Sequence, residues 1–485
     1  MEAAISAIVG DLINRVLCFL VRKYTNKVGE DDKLQRLNQL LLRIHAVVEE
    51  ADGRYITNYA MLKQFGFFVE SMYQGYHMLD TFKYKSHDEG ITKEEVRHLS
   101  TLPVLSFHFK RSKTMDGTRR STYLCDDLQS LLEKLEATVS NMNEFVALLM
   151  GCERMFQRPY DTYLYTDNFM FGRHVEKQRI INFLLQPAGP GAALMVLPVI
   201  GGCRVGKKVL ISHVCTNERV LSHFSSILHI NGNDIQSMEN VFKRNVKTLV
   251  VVEFVSDIHD EEWIKLYSSA TNLSGGSKVI IMSRLGKIAR FGTVKPVYLN
   301  SLTQAEYSYL FKMLAFGNTD QRAYPQQVSV ANELAIVLGG SLITANVVAD
   351  LLRMNLSVQF WLHILKRFKE MVENNLSRYG EHPKDMIEKE HPVDISRFAS
   401  SCPASLRLMP PRVEKDEAPE RKLPNVMFGD LIAGSVSISS EEFELVTWKS
   451  RIPPYTTYVQ SVVACDDQQP GSMTPKRKRK IENVQ

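Results

Sequence analysis

The stretch "ALMVLPVIGGCRVGKKVL", residues 193–210, decides how this chain is read. An apolar run rich in Val, Leu and Ile meets a glycine loop and then a segment of helical character, the order strand, loop, helix that cradles phosphate. The spacing Gly201-x-x-x-x-Gly206-Lys207 fits a phosphate-binding loop. In such a loop backbone N–H groups converge on the anion, the positive end of the following helix adds to the field, and the glycines permit the turn. Lys207 can reach a β-phosphate: two unit charges about 4 Å apart at an effective dielectric near 20 attract by roughly 4 kcal/mol before desolvation. The next position breaks the pattern, because Lys208 stands where a hydroxyl residue should coordinate magnesium. An ammonium has no lone pair to offer a cation, and its charge repels one, so metal binding is expected to be weak and magnesium doubtful.

The surroundings of the loop support a nucleotide fold. "KTLVVVEFVSD" (247–257) is a second apolar run, ending in Glu253, where an acid would face a phosphate-bound metal. A hydrolase of this kind wants a second acid next, to activate water, and Phe254 stands there instead. Cys203 reads as an inert loop thiol. Outward from these runs, "SSILHING", "SKVIIMS" and "PVYLNSL" are further short β-rich segments separated by amphipathic stretches, which predicts a parallel sheet covered by helices on both faces.

At 485 residues the chain is long for one core, and its 44% hydrophobic content is that of a globular protein. The net charge is +5, most of it in the tail "PKRKRKIE" (475–482), so the body is nearly neutral and no field for specific nucleic-acid binding is expected. Seven scattered cysteines without a C-x-x-C pair argue against a disulfide framework and against a zinc site. The first segment is apolar but lacks a basic n-region and is broken by Asp11 and Arg15, so neither a signal peptide nor a membrane span is expected.

The expected fold class is multidomain, α plus α/β. Residues 1–150 carry helical periodicity, as in Ile5, Ile8, Leu12, Val16 and Leu20, and again in Leu37, Leu40, Leu41, Ile44 and Val48. "GEDDK" (29–33) reads as the break between two helices, and a third is expected over 61–83. A polar stretch, 86–123, reads as a mobile insert. A nucleotide-binding domain follows at 165–300, a helical subdomain at 301–380, a proline-rich and charged linker at 381–424, a small β-rich section at 425–465 and a disordered basic tail at 466–485.

With these residues placed, the middle of the chain resembles the NB-ARC domain of plant intracellular immune receptors. "FGRHVEKQRIINFLL" (171–185) is similar to the segment that opens that domain, "GGCRVGKK" (201–208) to its P-loop, "LVVVEF" (249–254) to its acidic strand and "GSKVIIMSR" (276–284) to its sensor strand. "VYLNSLTQAEYSYLFKMLAFG" (297–317) resembles the start of the following helical ARC subdomain, and "LGGSLITANVVADLL" (338–352) takes the place of the family's G-L-P-L segment. The N-terminal helices resemble the Rx-like coiled-coil type, in which an acidic E-D-V-I-D stretch makes an intramolecular contact; here the stretch is "YHMLD" (76–80), with Asp80 alone of its acids.

The resemblance implies a nucleotide site of Phe171, Gly172, Arg173, Gly201, Gly202, Arg204, Val205, Gly206, Lys207, Lys208, Val209, Glu253 and Arg284. In it Gly172 and Arg173 would border adenine and Arg284 would read the terminal phosphate. It departs from the family at Lys208, at Phe254, and at Leu342, where a proline would pack on adenine. Neither a winged-helix M-H-D motif nor a leucine-rich array is legible.

The expectation is a nucleotide-binding regulator of plant defence, a degenerate switch that holds ADP or ATP with little or no hydrolysis and is not an enzyme in practice. Its partners would be proteins met through the N-terminal helices, full-length relatives among them. The alternatives are an active P-loop ATPase and a nuclear scaffold with a vestigial nucleotide fold. Lys476, Arg477, Lys478, Arg479 and Lys480 form a candidate nuclear-localisation run, and the expected location is cytoplasmic, nuclear or both.

Overall fold

The computed structural model describes residues 31–85, 117–154, 171–187, 194–232, 246–271, 273, 275–399, 405–410, 423–436, 442–449 and 457–465. Residues 31–52 are helical (α1), and Leu37, Leu40, Leu41, Ile44, Val48 and Ala51 are buried at the three-and-four spacing of one helix face. The helix Tyr59–Lys85 (α2) lays Phe65, Phe68, Val69, Met72 and Tyr73 into the same core. Gly117–Ser140 (α3) and Met142–Met150 (α4) complete the helical layer, with Phe68 meeting Phe145 edge to face at 5.0 Å. The buried Arg54 pins the α1–α2 turn, donating to the carbonyls of Leu149 at 3.1 Å and Cys152 at 2.9 Å.

One local expectation gives way here, and another falls at the edge of the described residues. Residues 31–33 of "GEDDK" open α1, and residues 1–30, from which the expected break would separate it, lie outside the described residues; α1 and α2 are parted at 53–58. Residues 117–123 of the expected mobile insert are the first turns of α3, while 86–116 lie outside the described residues.

The five apolar runs form the five strands β1 (Met195–Gly201), β2 (Ser226–Asn231), β3 (Thr248–Phe254), β4 (Lys278–Ser283) and β5 (Val297–Leu299). They lie in the order β2-β3-β4-β1-β5, every pair parallel. All six residues of β4 are buried, which explains why these strands read as unbroken apolar runs and not as alternating ones. One face is covered by α5 (His174–Leu185), α6 (Lys207–Cys215) and α7 (Glu218–His223); the other is covered by α8 (Asp260–Thr271) and a 3₁₀ turn at Gly286–Phe291.

Lys278 is 1% exposed at the start of β4, and its ammonium donates to the carbonyls of Phe183, Leu184 and Gln186 at 2.5–3.1 Å. It thereby satisfies the end of α5, where helical carbonyls lose their intrahelical partners. Burial pushes the amine down to about 8.

After β5, a capping box of Thr303 and Glu306 starts α9 (Gln304–Phe316). This helix packs on α2, and the nearly buried Lys312 forms an ion pair with Asp80. The one acid left in the "YHMLD" stretch, Asp80, is thus engaged within the chain.

Contacts divide the described chain into two compact units, one ending at Ala335 and one beginning at Ile336. The helix Pro325–Val337 (α10) spans that division. In the second unit α11 (Leu342–Met354), α12 (Val358–Tyr379) and α13 (Pro383–Glu388) accompany a second sheet of order β6-β7-β10-β9-β8, joined by α14 (Phe428–Ala433). Its strands are β6 (Val393–Asp394), β7 (Ser405–Leu408), β8 (Asn425–Met427), β9 (Glu442–Lys449) and β10 (Thr457–Cys465), antiparallel except for β8 with β9.

The stretch read as a linker, 381–424, thus contains α13, β6 and β7. Within the second unit the buried guanidinium of Arg367 donates to the carbonyls of Phe398 and Ile432, while residues 400–404 and 411–422 lie outside the described residues. No helix among the described residues is long and apolar enough to cross a membrane.

Two substitutions test these contacts in chemical denaturation. Asp80→Ala strands the Lys312 ammonium and is expected to cost about 3 kcal/mol, most of it recovered in Asp80→Ala/Lys312→Met. Lys278→Met leaves three acceptors without a donor and is expected to cost about 3 kcal/mol.

Candidate nucleotide-binding site

The loop begins where β1 ends. A Cβ on Gly201 would lie 2.7 Å from the Leu299 carbonyl oxygen of neighbouring β5, so a side chain there would force the two strands apart. Gly202 is exposed, and Arg204 holds a left-handed conformation at φ 57° that costs a non-glycine residue. Val205 turns its side chain into the core beneath the sheet, which anchors the loop from below. Gly206 at φ 91° caps α6, and a Cβ there would meet nothing within 4 Å, so the requirement for glycine is conformational and not one of space. Val209 is half-buried in the first turn of α6.

Lys207 folds back over the loop, donating to the carbonyls of Gly201 at 2.9 Å and Gly202 at 2.6 Å. An ammonium has three donors, so one remains beyond these two contacts. Burial lowers the Lys207 amine below the usual lysine value; Cys203 and Glu253 pull it back up, while Arg284 and Lys208 push it further down. Arg284, exposed after β4, is thus close enough to be felt by Lys207. The Ser283 hydroxyl shapes the turn into Arg284, donating to the Phe254 carbonyl at 2.9 Å and accepting from the Leu285 N–H at 3.1 Å.

Lys208 reaches across to β3, where its ammonium lies 2.8 Å from Glu253 Oε2. The carboxylate that would serve a metal already has a cation on it, and the residue that should add a ligand oxygen supplies that cation. These residues do not fit magnesium. Phe254 is buried and packs edge to face on Trp263 at 6.3 Å, so it offers no group to a water molecule.

In the segment 171–174 the Phe171 side chain is buried among the N-terminal helices, against Tyr73 at 4.9 Å and stacked on Tyr309, as part of the bundle core. Gly172 takes φ 67° with Leu302 at 3.0 Å from where a Cβ would be, which lets the chain turn. Arg173 is buried, and its guanidinium donates to the carbonyls of Val205 at 3.3 Å and Asn300 at 2.6 Å. It thereby braces the glycine loop against the exit of β5.

His174 pairs with Asp52 of α1 at 2.5 Å and meets Phe65 edge to face. Burial raises the Asp52 carboxyl, but its bond to His174 and the nearby Lys177 outweigh this and hold it below the usual range. Asp52, Asn300 and Lys312 were invisible to sequence reasoning, since each meets its partner only through the tertiary fold. The basic run Lys476–Lys480 lies outside the described residues. Among the described residues no cluster of His, Cys, Asp or Glu could hold a metal ion.

The chain is 23% identical over 382 residues to disease resistance protein RGA2 of Solanum bulbocastanum, covering 73% of this chain and 38% of the relative. It is 23% identical to RGA4 of the same species over 73% and 37% of the two chains, and 20% identical to RPP13-like protein 1 of Arabidopsis thaliana over 69% and 34%. The chain is related to plant disease resistance proteins.

It spans a little over a third of the length of these curated relatives. No family model matches it. Among solved structures, domain III of the Thermotoga maritima replication initiation protein DnaA aligns over 50% of this chain and 90% of its own, at 12% identity and a TM-score of 0.23, a superposition too loose to argue from.

In this chain the glycine loop and the helical bundle are joined by four consecutive residues, 171–174. Arg173→Met removes both carbonyl contacts while keeping bulk, and is expected to cost about 2 kcal/mol. It should speed amide hydrogen exchange at Val205–Lys208 by about tenfold, a local loosening that mass spectrometry can read.

Proposed function

We propose that this chain is a nucleotide-binding regulatory protein of the plant defence response, in which ADP or ATP is retained with little or no hydrolysis. The observation that carries the reading is the loop itself: a glycine that only fits beside β5, a left-handed glycine cap on a nine-residue helix, and a lysine folded over the loop between them. Backbone amides at the start of α6 and the third donor of Lys207 would hold the diphosphate, with Arg284 near the far end. The relationship to disease resistance proteins supports the regulatory setting. Slow or absent turnover is supported by the buried Phe254 and by the ion pair that engages Glu253, which leave neither an activating base nor a metal ligand at the strand end.

A held nucleotide would stiffen the loop that Arg173 ties to Asn300. Through Phe171 and His174 that stiffness reaches the N-terminal helices, the surface by which protein partners would be met. Thermal-shift titration tests the reading. ADP is expected to raise the melting temperature of the wild type by several degrees, about 1–3 kcal/mol of linkage at saturating ligand. Lys207→Ala is expected to weaken ADP at least about tenfold. Wild-type protein indifferent to both ADP and ATP, or Lys207→Ala equal to wild type, refutes the site.

A further inference from the structure

The partner of Lys208 sets how the loop handles charge. Its ammonium starts from the first turn of α6, is 54% exposed along its side chain, and lies 2.8 Å from a Glu253 carboxylate that is 29% exposed. Glu253 sits one residue before the end of β3, in register with Asn231 and Met282, so the strand fixes where its carboxylate emerges. Lys207 is held separately on the loop carbonyls, and Arg284 lies close enough to act on it. The end of the sheet therefore sets one acid against the ammonium of Lys208, with Lys207 held on the loop carbonyls nearby. A divalent ion placed against Glu253 would have to displace the Lys208 ammonium and remain beside its positive charge, with no oxygen supplied from position 208.

We infer that Lys208 is a resident replacement for the divalent cation: held in place by Glu253, it presents a fixed positive charge to nucleotide phosphate and makes nucleotide capture independent of magnesium. This rests on the nucleotide reading above. The ammonium has three donors, and a contact with Glu253 leaves others for a phosphate oxygen, so one group shares itself between carboxylate and phosphate as a bridging ion would. The carboxylate's task is to aim the lysine.

Calorimetric titration of the full chain with ADP, in excess chelator and in millimolar magnesium, tests this. The wild type is expected to bind ADP with dissociation constants that agree within about twofold in the two buffers. Lys208→Thr restores a hydroxyl and releases Glu253, so its ADP affinity is expected to fall in chelator and to tighten at least about tenfold on adding magnesium. That gain should vanish in Lys208→Thr/Glu253→Gln. Electron paramagnetic resonance with manganese should detect bound metal in the ADP complex of Lys208→Thr and none in that of the wild type.

Wild-type ADP binding that strengthens tenfold with magnesium, or manganese held in the wild-type complex, overturns the inference while leaving the nucleotide site standing. So does a folded Lys208→Thr protein indifferent to metal. An absence of wild-type ADP binding in both buffers removes the nucleotide reading and this inference together. The wild-type comparison decides the matter even where the variant fails to fold.

Discussion

The buried guanidinium of Arg173 holds the first unit in register. Its carbonyl acceptors are far apart in sequence: Val205 in the phosphate loop and Asn300 after the last strand of the parallel sheet. A charged group so enclosed is tolerable only when its donors are satisfied; two backbone carbonyls take part of that task and the Glu176 carboxylate, 3.5 Å away, supplies the opposing charge. Because Phe171 and His174 flank it and point into the helical bundle, the geometry of the loop and the seat of the bundle are set by one short segment. Gly172, with its left-handed backbone, lets neighbouring residues face opposite ways.

Around that brace the loop solves an electrostatic problem in an unusual order. Phosphate loops concentrate donors and positive charge, and a divalent ion with its carboxylates normally adjusts the balance. Here Lys208 and Glu253 neutralise each other across the gap between α6 and β3, while Lys207 is occupied with the loop carbonyls. Both lysines of the loop are thus engaged by groups of the chain itself.

The two ion pairs that matter most differ in kind. Lys208 and Glu253 are both solvent-accessible, so their pairing contributes little to stability and mainly sets direction. Lys312 and Asp80 are largely enclosed between α9 and α2, where breaking the pair is costly and keeping it fixes which turn of one helix faces which turn of the other. In the second unit Arg367 repeats the logic of Arg173, gathering the carbonyls of Phe398 and Ile432, which are more than thirty positions apart in sequence.

The five strands were legible in the sequence because a parallel sheet buried on both faces demands continuous apolar runs. The unsuitability of Lys208 as a metal ligand was equally legible, since it depends on the chemistry of one side chain and on no neighbour. What only the tertiary structure decided was pairing: that Lys208 meets Glu253, that Asp80 meets Lys312 across 232 positions, that the Phe171 side chain packs into the bundle. The ordered strand β7 within the stretch read as a linker belongs with these, because its partners β6 and β10 come from either side of it in sequence. Local patterns report which face of an element is buried, whereas the choice of partner is made by topology, which brings together residues whose own surroundings in the chain carry no mark of the meeting.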